Sequence, residues 1–260
     1  GHSLEGESLF MRLGLRGDGA CEVWFAYRKG QQFYSQPVEL FAATACPLQA
    51  EGLEVGKTWK VTYEGKMAPV CGAGSPLLAR FEGIFTATAP MFDFFSDMNP
   101  GPMAQALAGE KWSRSFFEEV QKNNQVHYEQ PGKLEGKLVL GSRAIDIDLH
   151  AIHDHSFGKR DWTYMNRHMW LLAVLGNGDT LNVSLVSYPA VRQIMVGNLV
   201  QEGKSTCVLY TQLQGDAICE GKGPDTLHLR CWLEGGHRLD VTVQRDAEVV
   251  YSFADGGYIL

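Results

Sequence analysis

Apolar and polar residues alternate strictly over residues 145–151, where the chain reads IDIDLHA. A period of two is typical of a β-strand with one buried face, so the odd-numbered residues are predicted to point inward. If the strand continues without a bulge, the same parity places His153, His155 and Phe157 on the apolar side. A buried imidazole needs a polar partner or loses its charge, so this face predicts either a pocket or a set of mutually satisfied polar groups.

Short apolar runs bounded by Gly, Pro or polar clusters recur along most of the chain. Runs that are rich in β-branched and aromatic residues predict β-strands. Joints as short as the GNGD turn at residues 176–179 predict antiparallel hairpins. The predicted strands cover residues 8–15, 21–28, 59–66, 77–88, 134–140, 145–151, 168–175, 181–188, 194–200, 206–213, 227–233 and 239–244.

One segment between these runs has a helical pattern instead. Residues 102–108 and 112–122 contain no β-branched residue before Val120. Ser113 precedes an amphipathic spacing of Phe116, Phe117 and Val120, which is typical of a helix with a serine N-cap. A short helical insertion is therefore predicted near residues 100–125.

The number of antiparallel strands constrains the architecture. Exposed sheet edges must be avoided, and barrels or sandwiches are the available solutions. The strand count suits two barrels, and the QPG sequence at residues 130–132 interrupts the pattern. We therefore predict an all-β chain with an N-terminal barrel plus the helical insertion over residues 1–130 and a C-terminal barrel over residues 131–260.

Composition excludes several classes of partner. The 260 residues include 45% hydrophobic and 20% charged residues, and the formal net charge is -7. These values are typical of a soluble globular protein. Lys and Arg are scattered along the chain, so no nucleic acid is predicted as a partner. No apolar run approaches the ~18 residues that a spanning helix requires, so no membrane span is predicted.

The cysteines and histidines do not predict a metal site. The six cysteines are widely spaced and contain no CxxC motif, which favours free thiols and a reducing intracellular compartment. His150, His153 and His155 alternate between the two faces of the predicted strand, so they would not converge on one metal without a bulge. No metal or other cofactor is predicted.

The run at residues 153–162, HDHSFGKRDW, concentrates the side chains with catalytic potential. Gly158 permits a bulge that would turn Arg160 towards Asp154 or Asp161 and fix the carboxylate beside His155. The candidate acid–base residues are His153, Asp154, His155 and Asp161, and the candidate site-organising residues are Arg160 and Trp162.

Aromatic residues are numerous enough to line an apolar cavity, although the interior of a small barrel is often filled by such side chains. Residues 91–98 concentrate Met and Phe just before the predicted helices and are a candidate lid or mouth segment. The predicted ligand-binding residues are Trp24, Phe85, Phe95, Phe157, Trp170 and Tyr188.

The sequence DHSFGKRDW at residues 154–162 resembles the DHSWGxRDW hallmark of lipocalin-like proteins related to carotenoid hydratases (hydroxyneurosporene synthases). Residues 59–65, 110–118, 127–130 and 178–184 are similar to an animal branch of that family, which occurs as an extra domain in phosphoenolpyruvate-synthase-like proteins. The resemblance implies two consecutive lipocalin-like antiparallel barrels, with the hallmark run near where they meet.

The resemblance also implies a chemistry. In the hydratases, the hallmark His and Trp act with a Tyr and an Asp from a following strand to protonate a polyene, so that water adds to the cation. His155 matches the His, but Phe157 replaces the Trp, and Asn182 and Ser184 stand about where the Tyr-x-Asp pair would be expected. Such an acid is a carboxyl group that burial keeps neutral, so Asp154 or Asp161 would have to substitute.

These observations predict a protein that binds a hydrophobic small molecule, such as a polyene, isoprenoid, polyketide or lipid, in a β-barrel cavity. The enzyme hypothesis adds its conversion by acid–base hydration, cyclisation or isomerisation. The alternatives are a ligand-binding domain without catalysis and an interaction or regulatory domain of a larger phosphotransfer protein. The chain has no Gly-rich phosphate loop, so phosphotransfer would reside in other domains of a longer polypeptide.

Overall fold

The computed structural model describes residues 1–3, 5–37, 39–71, 74–122, 126–158, 164–213, 225–245, 251–252 and 258–259. The strands are β1 (Glu7–Leu15), β2 (Ala20–Lys29), β3 (Gln32–Ser35), β4 (Glu39–Ala42), β5 (Leu48–Glu54), β6 (Thr58–Pro69), β7 (Leu77–Ala87), β8 (Phe92–Asp93), β9 (Val126–Leu140), β10 (Arg143–Phe157), β11 (Arg167–Val174), β12 (Thr180–Ser187), β13 (Ile194–Gln201), β14 (Lys204–Leu213), β15 (Thr226–Leu233), β16 (Arg238–Gln244), β17 (Tyr251–Ser252) and β18 (Tyr258–Ile259). The helices are α1 (Pro100–Ala108) and α2 (Arg114–Lys122), with a 3-10 turn at Ala43–Ala45.

The predicted helical insertion is confirmed, and both helices begin at capped positions. The side chain of Asn99 accepts a hydrogen bond from the backbone N–H of Gly101 at 2.9 Å, and Pro100 occupies the first turn of α1. Ser113 Oγ accepts from the N–H of Phe116 at 3.1 Å, as its position before α2 predicts. Neither helix is long and apolar enough to cross a lipid bilayer.

The chain divides into two compact units. Unit 1 comprises Gly1–Pro90 and Gln130–His153, and unit 2 comprises Met91–Glu129 and Asp154–Leu260. The units are discontinuous in sequence because β9 and β10 each pass from one unit to the other. The division into consecutive domains at residues 130 and 131 stays a prediction.

The first sheet has ten strands in the order β1-β2-β3-β6-β7-β9-β10, with β4 beside β2, β5 beside β6 and β8 beside β9. In unit 1 its inner face is packed with large side chains, including Phe25, whose ring stacks on Tyr63 with centroids 3.9 Å apart. Ile147, Leu149 and Ala151 are buried, which confirms the predicted inward face of β10 over these residues.

The second sheet lies in unit 2 and is a meander of six antiparallel strands, β11 to β16. The joint at residues 176–179 is the predicted hairpin turn, in which Gly178 has a φ of 88° and the N–H of Leu175 donates to Asp179 O. Both sheets curl into half-barrels, so the predicted all-β class with two curled antiparallel sheets is confirmed.

The middle strands β12 and β13 are buried on both faces. Leu181 and Val183 point into the hydrophobic core of unit 2. The opposite face carries buried polar side chains, among them Asn182, Ser184 and Asn198. Burying polar groups destabilises a protein unless they are hydrogen-bonded, so the side chains of this face are expected to have hydrogen-bond partners.

Gly197 on β13 lies opposite Val183, on the core face, and allows β12 to approach closely. A Cβ atom on Gly197 would lie 2.4 Å from the carbonyl oxygen of Asn182, a backbone atom that cannot move alone. We therefore expect Gly197→Ala to lower the free energy of unfolding by about 1–2 kcal/mol, as overpacking does. The control is Gly176→Ala in the exposed hairpin turn, where a Cβ would meet nothing within 4 Å. Equal denaturation midpoints for both variants and wild type would contradict this explanation.

Candidate active site

A cluster of three ionisable side chains lies in unit 2, where β9 begins and β10 ends. His127 and Glu129 are two residues apart on β9, so their side chains share a face of the strand. Nε2 of His127 forms a short hydrogen bond with Oδ2 of Asp154 and lies 3.4 Å from Oε1 of Glu129. We call these three residues the carboxyl–imidazole cluster.

Glu129 is the buried member of the cluster. Only 2% of the residue is exposed, whereas the side chains of His127 and Asp154 are 27% and 33% exposed. Oε2 of Glu129 accepts a short hydrogen bond from the amide of Asn182 on β12. Oε1 accepts no hydrogen bond of ordinary geometry from the described residues. The carboxyl is therefore held from one side by the polar face of the second sheet.

Burial and the neighbouring charges set the protonation of the cluster. Burial raises the pKa of Glu129 to about 7, an effect that His127 and the indole of Trp170 partly oppose and that the charge of Asp154 reinforces. Burial disfavours the charged form of His127, but the hydrogen bond to Asp154 and the contact with Glu129 outweigh it and raise the pKa of His127 to about 9. Burial thus favours the neutral form of Glu129, and the two carboxyl groups favour the imidazolium form of His127.

Strand β8 and the residue after it hold the imidazole in place. Phe92 and Asp93 pair with Glu129 and Tyr128, and the N–H of Phe94 donates to His127 O at 2.9 Å. The ring of Phe94 stacks on that of His127 with centroids 4.2 Å apart and planes 2° apart. The segment 91–98 that was predicted as a lid therefore supplies a wall of the cluster.

The tryptophan and histidine of β11 extend the polar network. The indole N–H of Trp170 donates to Oδ1 of Asn182 at 3.1 Å, so this amide joins Trp170 to Glu129. His168 Nε2 lies 2.7 Å from Ser184 Oγ. Because Trp170 is 38% exposed, it presents an apolar surface to solvent next to the buried carboxyl.

A second pair lies on the other face of β9 and β10. The hydroxyl of Tyr128 is 2.6 Å from Nδ1 of His155. Since neighbouring residues of a strand point to opposite faces, Tyr128 and His155 are separated from Glu129 and Asp154 by the backbone. His155 also contacts the ring of Phe157, which is 53% exposed, so the prediction that Phe157 lies on a buried face is wrong. Strand β10 ends at Phe157, and burial ends with it.

The predicted acid–base residues are therefore divided among different environments. Asp154 belongs to the carboxyl–imidazole cluster, and His155 pairs with Tyr128. His153 belongs to unit 1, where its ring packs against Trp59 and Phe85 with centroids 4.8 Å and 5.7 Å away. Arg160, Asp161 and Trp162 lie outside the described residues, so their assignment and the proposed turn of Arg160 stay predictions.

The predicted ligand-binding residues differ widely in exposure. Trp24 is fully buried, with the guanidinium of Arg12 lying 4.5 Å above its ring, and Phe85 is 5% exposed within the core of unit 1. Phe95 is 83% exposed, and Tyr188 stacks on Tyr164 with centroids 5.8 Å apart. Only the exposed members of this set are accessible to a ligand from solvent.

Unit 1 carries an open cavity of about 1390 Å³ away from these residues. Its walls include the aromatic rings of Phe41, Tyr63 and Phe81 together with charged side chains such as Glu64 and Arg80. Its lining includes none of the predicted ligand-binding residues. The cavity is thus large enough for a small molecule but is not the site that the sequence indicates.

The carboxyl–imidazole cluster also invites comparison with a metal centre, because its prospective ligand atoms all lie within 4.8 Å of one another. Ligands about 2.0–2.2 Å from a metal ion lie roughly 3 Å or more apart. His127 and Asp154 are instead joined directly by a short hydrogen bond. In this structure the three side chains are thus joined to one another through Nε2 of His127.

Sequence reasoning missed His127, Tyr128 and Glu129 as functional residues. A signal existed, since His127 and Glu129 are spaced as two side chains on one face of a strand. The burial of Glu129, however, depends on Asn182, 53 positions away, and no local pattern predicts that contact.

Curled antiparallel sheets with a buried carboxyl beside an imidazole define this chain as a half-barrel β-protein with a carboxyl–imidazole cluster. It belongs to the family described as Domain of unknown function (DUF7064), whose model matches residues 5–260. A crystal structure from Nitrosomonas europaea, that of a "putative AttH", is similar with a TM-score of 0.48 and 11% identity, covering 82% of this chain and 67% of that one. A comparison with curated proteins gives no match.

Proposed function

We propose that this protein binds a hydrophobic small molecule and converts it by acid–base chemistry at the carboxyl–imidazole cluster. The observation that carries the proposal is the burial of the Glu129 carboxyl beside a partly exposed carboxylate, Asp154, and an imidazole. A neutral carboxyl donates a proton or a hydrogen bond, and a carboxylate accepts a proton. Two carboxyl groups in unequal environments thus supply the acid and the base that hydration, cyclisation and isomerisation require.

The cluster supplies a carboxyl group, which the chain lacks at the positions of the Tyr-x-Asp pair of the carotenoid hydratases. That family places a Tyr-x-Asp pair on a strand after the hallmark run, about where this chain has Asn182 and Ser184. Here the amide of Asn182 is bonded to Glu129, so a carboxyl from β9 contacts the first of these two positions. Asp154 of the hallmark run belongs to the same cluster, which supports its predicted acid–base role.

Exposed aromatic side chains support the hydrophobic character of the ligand. A curled antiparallel sheet is compatible with binding such a molecule. In unit 2, Trp170 and Phe95 expose 38% and 83% of their surfaces. Phe95 follows Phe94, whose ring stacks on that of His127, and Trp170 donates to Asn182, which contacts Glu129. Aromatic surfaces of this kind provide apolar contact area for a bound molecule.

Deuterium exchange tests the proposal before the ligand is identified. Protein purified without detergent should retain a lipophilic compound that mass spectrometry detects after solvent extraction. When the loaded protein is incubated in D2O, acid–base chemistry at carbon should introduce deuterium, or add D2O, into this compound. Asp154→Asn should slow the incorporation by about 100-fold or more, the usual contribution of a general base.

Asp148→Asn is the matched control, because Asp148 lies on the same strand and its side chain is 69% exposed and paired with Lys133. This variant should exchange at the wild-type rate. Retention of a compound without exchange in wild type would assign the chain to the ligand-binding alternative. Absence of any retained compound, together with no binding of added lipophilic probes, would contradict the proposal as a whole.

A further inference from the structure

The sheet of unit 1 opens along one edge of β6. Residues 68–69 pair with β3 at one end of this edge, and Tyr63 pairs with Leu48, the first residue of β5, at the other. Between these pairings the chain leaves β6 and, as β4, pairs with β2 instead. Residues 65–67 therefore have no strand beside them on this side among the described residues, which leaves a gap of ~10 Å. We call this gap the β6 split.

Two prolines account for the β6 split. The N–H of Glu64 donates to Pro47 O at 2.9 Å, but proline has no N–H that could donate to Glu64 O in return. Pro37 would lie opposite Lys66 if β3 continued in register, and it also has no N–H to offer. The residue before Pro37 already donates its N–H to β2, at 2.8 Å. The sequence thus prevents both flanking strands from pairing with this part of β6.

The β6 split leaves two backbone groups of β6 without a partner. Backbone groups of a strand point alternately to its two sides. Since the N–H of Glu64 points to Pro47, the N–H of Lys66, two residues on, points into the split. The C=O of Glu64 and the N–H of Lys66 have no hydrogen-bond partner among the described residues, whereas the C=O of Lys66 accepts from the Tyr63 hydroxyl at 3.4 Å. An unpaired acceptor and an unpaired donor therefore lie two residues apart on one edge.

The cavity of unit 1, about 1390 Å³ in volume, lies along this edge. Its lining includes Glu64, Gly65 and Lys66 together with both prolines, and Phe41 and Cys46 contribute to an apolar wall. Because the cavity is open, a molecule can enter it from solvent and meet the edge of β6. The unpaired backbone groups are thus polar contacts that an apolar pocket offers to a ligand.

We propose that the β6 split binds an N-acyl amino acid, with its acyl chain against the apolar wall. The N–H of the ligand donates to Glu64 O, and the carbonyl group on the other side of its Cα accepts from the N–H of Lys66, as one residue of an added parallel strand does. A longer strand does not fit, because β3 and β5 occupy the positions beside β6 on either side of the gap. This site lies in unit 1 and does not rest on the carboxyl–imidazole cluster.

Two probes that differ by one methyl group test the proposal. N-decanoylglycine carries the amide N–H, and N-decanoylsarcosine has a methyl group in its place. We expect wild type, as the 260-residue chain, to bind the glycine compound at least about tenfold more tightly, because the sarcosine compound leaves Glu64 O without a donor. Isothermal titration calorimetry below the micelle-forming concentrations gives both dissociation constants.

Alkylation of a cysteine locates the bound probe. Cys46 lines the cavity, whereas Cys71 is exposed and is not part of the lining. With N-decanoylglycine at ten times its dissociation constant, the reaction of Cys46 with iodoacetamide should slow by about tenfold, since about a tenth of the sites remain free. The reaction of Cys71 should keep its rate. Peptide mass spectrometry measures both rates.

Lys66→Pro removes the backbone donor, and Lys66→Ala is the matched control that keeps it. Because this N–H forms no bond with a neighbouring strand, proline is tolerated at the position, and the two variants should have similar denaturation midpoints. We expect Lys66→Pro to bind N-decanoylglycine at least about tenfold more weakly than Lys66→Ala does.

Several results would overturn the proposed contact. These are equal binding of the two probes by wild type, binding that leaves Cys46 unprotected, and equal binding of N-decanoylglycine by the two Lys66 variants. Failure of Lys66→Pro alone to fold would show that this N–H is paired within the sheet and would overturn it as well. None of these results bears on the function proposed for the cluster in unit 2, so the two proposals fail separately.

Discussion

Phe85→Ala should lower the free energy of unfolding by about 3–5 kcal/mol, the usual cost of removing a buried phenylalanine ring. Phe85 is 5% exposed and pairs across the sheet with Trp59 and Leu134. Its ring also covers Gly132, where a Cβ would lie 2.5 Å from the ring tip, so Gly132 offers no side chain to fill the space. Urea denaturation followed by tryptophan fluorescence measures the change.

Phe95→Ala is the matched control, since both residues were predicted from the sequence to bind the ligand. Phe95 is 83% exposed, so its removal should change the free energy of unfolding by less than about 0.5 kcal/mol. If the two substitutions destabilise the protein equally, the assignment of Phe85 to the core and of Phe95 to the accessible surface is wrong.

The stability advantage of wild type over His127→Gln should shrink by roughly 2 kcal/mol as the pH rises from about 6 to about 9.5. Folding raises the pKa of His127 from 6.5 to about 9, so its charged form stabilises the folded state fully below pH 6.5 and this contribution is lost as the pH rises through 9. Burial also raises the pKa of Glu129 to about 7, but Glu129 is present in both proteins, so the comparison is made to isolate the contribution of His127. Thermal unfolding across this pH range measures the difference.

The groups that face His127 determine this result. Asp154 and Glu129 favour its charge, and Phe94 on the other side of the ring carries none. His228→Gln is the control, because His228 is exposed on β15 and bonds only to Thr242 among the described residues. A difference between wild type and His127→Gln that is constant with pH would contradict the ion pair.

Much of the fold could be predicted because its signals are local. The alternation over residues 145–151 predicted the inward face of β10 correctly, because the side chains of a strand point alternately to only two faces. Ser113 marked the start of α2 through a hydrogen bond that spans three residues. Strands without such alternation were missed, among them β3, β4 and β5, whose residues are mostly exposed or half-buried.

The site was harder to predict because it depends on pairing between distant strands. The sequence singled out Asp154, but its partner His127 lies 27 positions earlier, on a strand that was predicted to begin only at residue 134. Parity extended from the core places His155 on the opposite face of β10 from Asp154. It could not show that Tyr128, from the neighbouring strand, would be the hydroxyl partner of His155.

The pH titration of the Glu129 carboxyl carbon tests the central claim most directly. In protein labelled with ¹³C at the glutamate side-chain carboxyl, the Glu129 resonance is identified by its absence from the spectrum of Glu129→Gln. The acid–base site predicts that this resonance titrates near pH 7, because burial raises the pKa of the carboxyl to about 7. A midpoint near the ordinary value of about 4.3 would show a solvated carboxylate and contradict the role of Glu129 as the neutral acid.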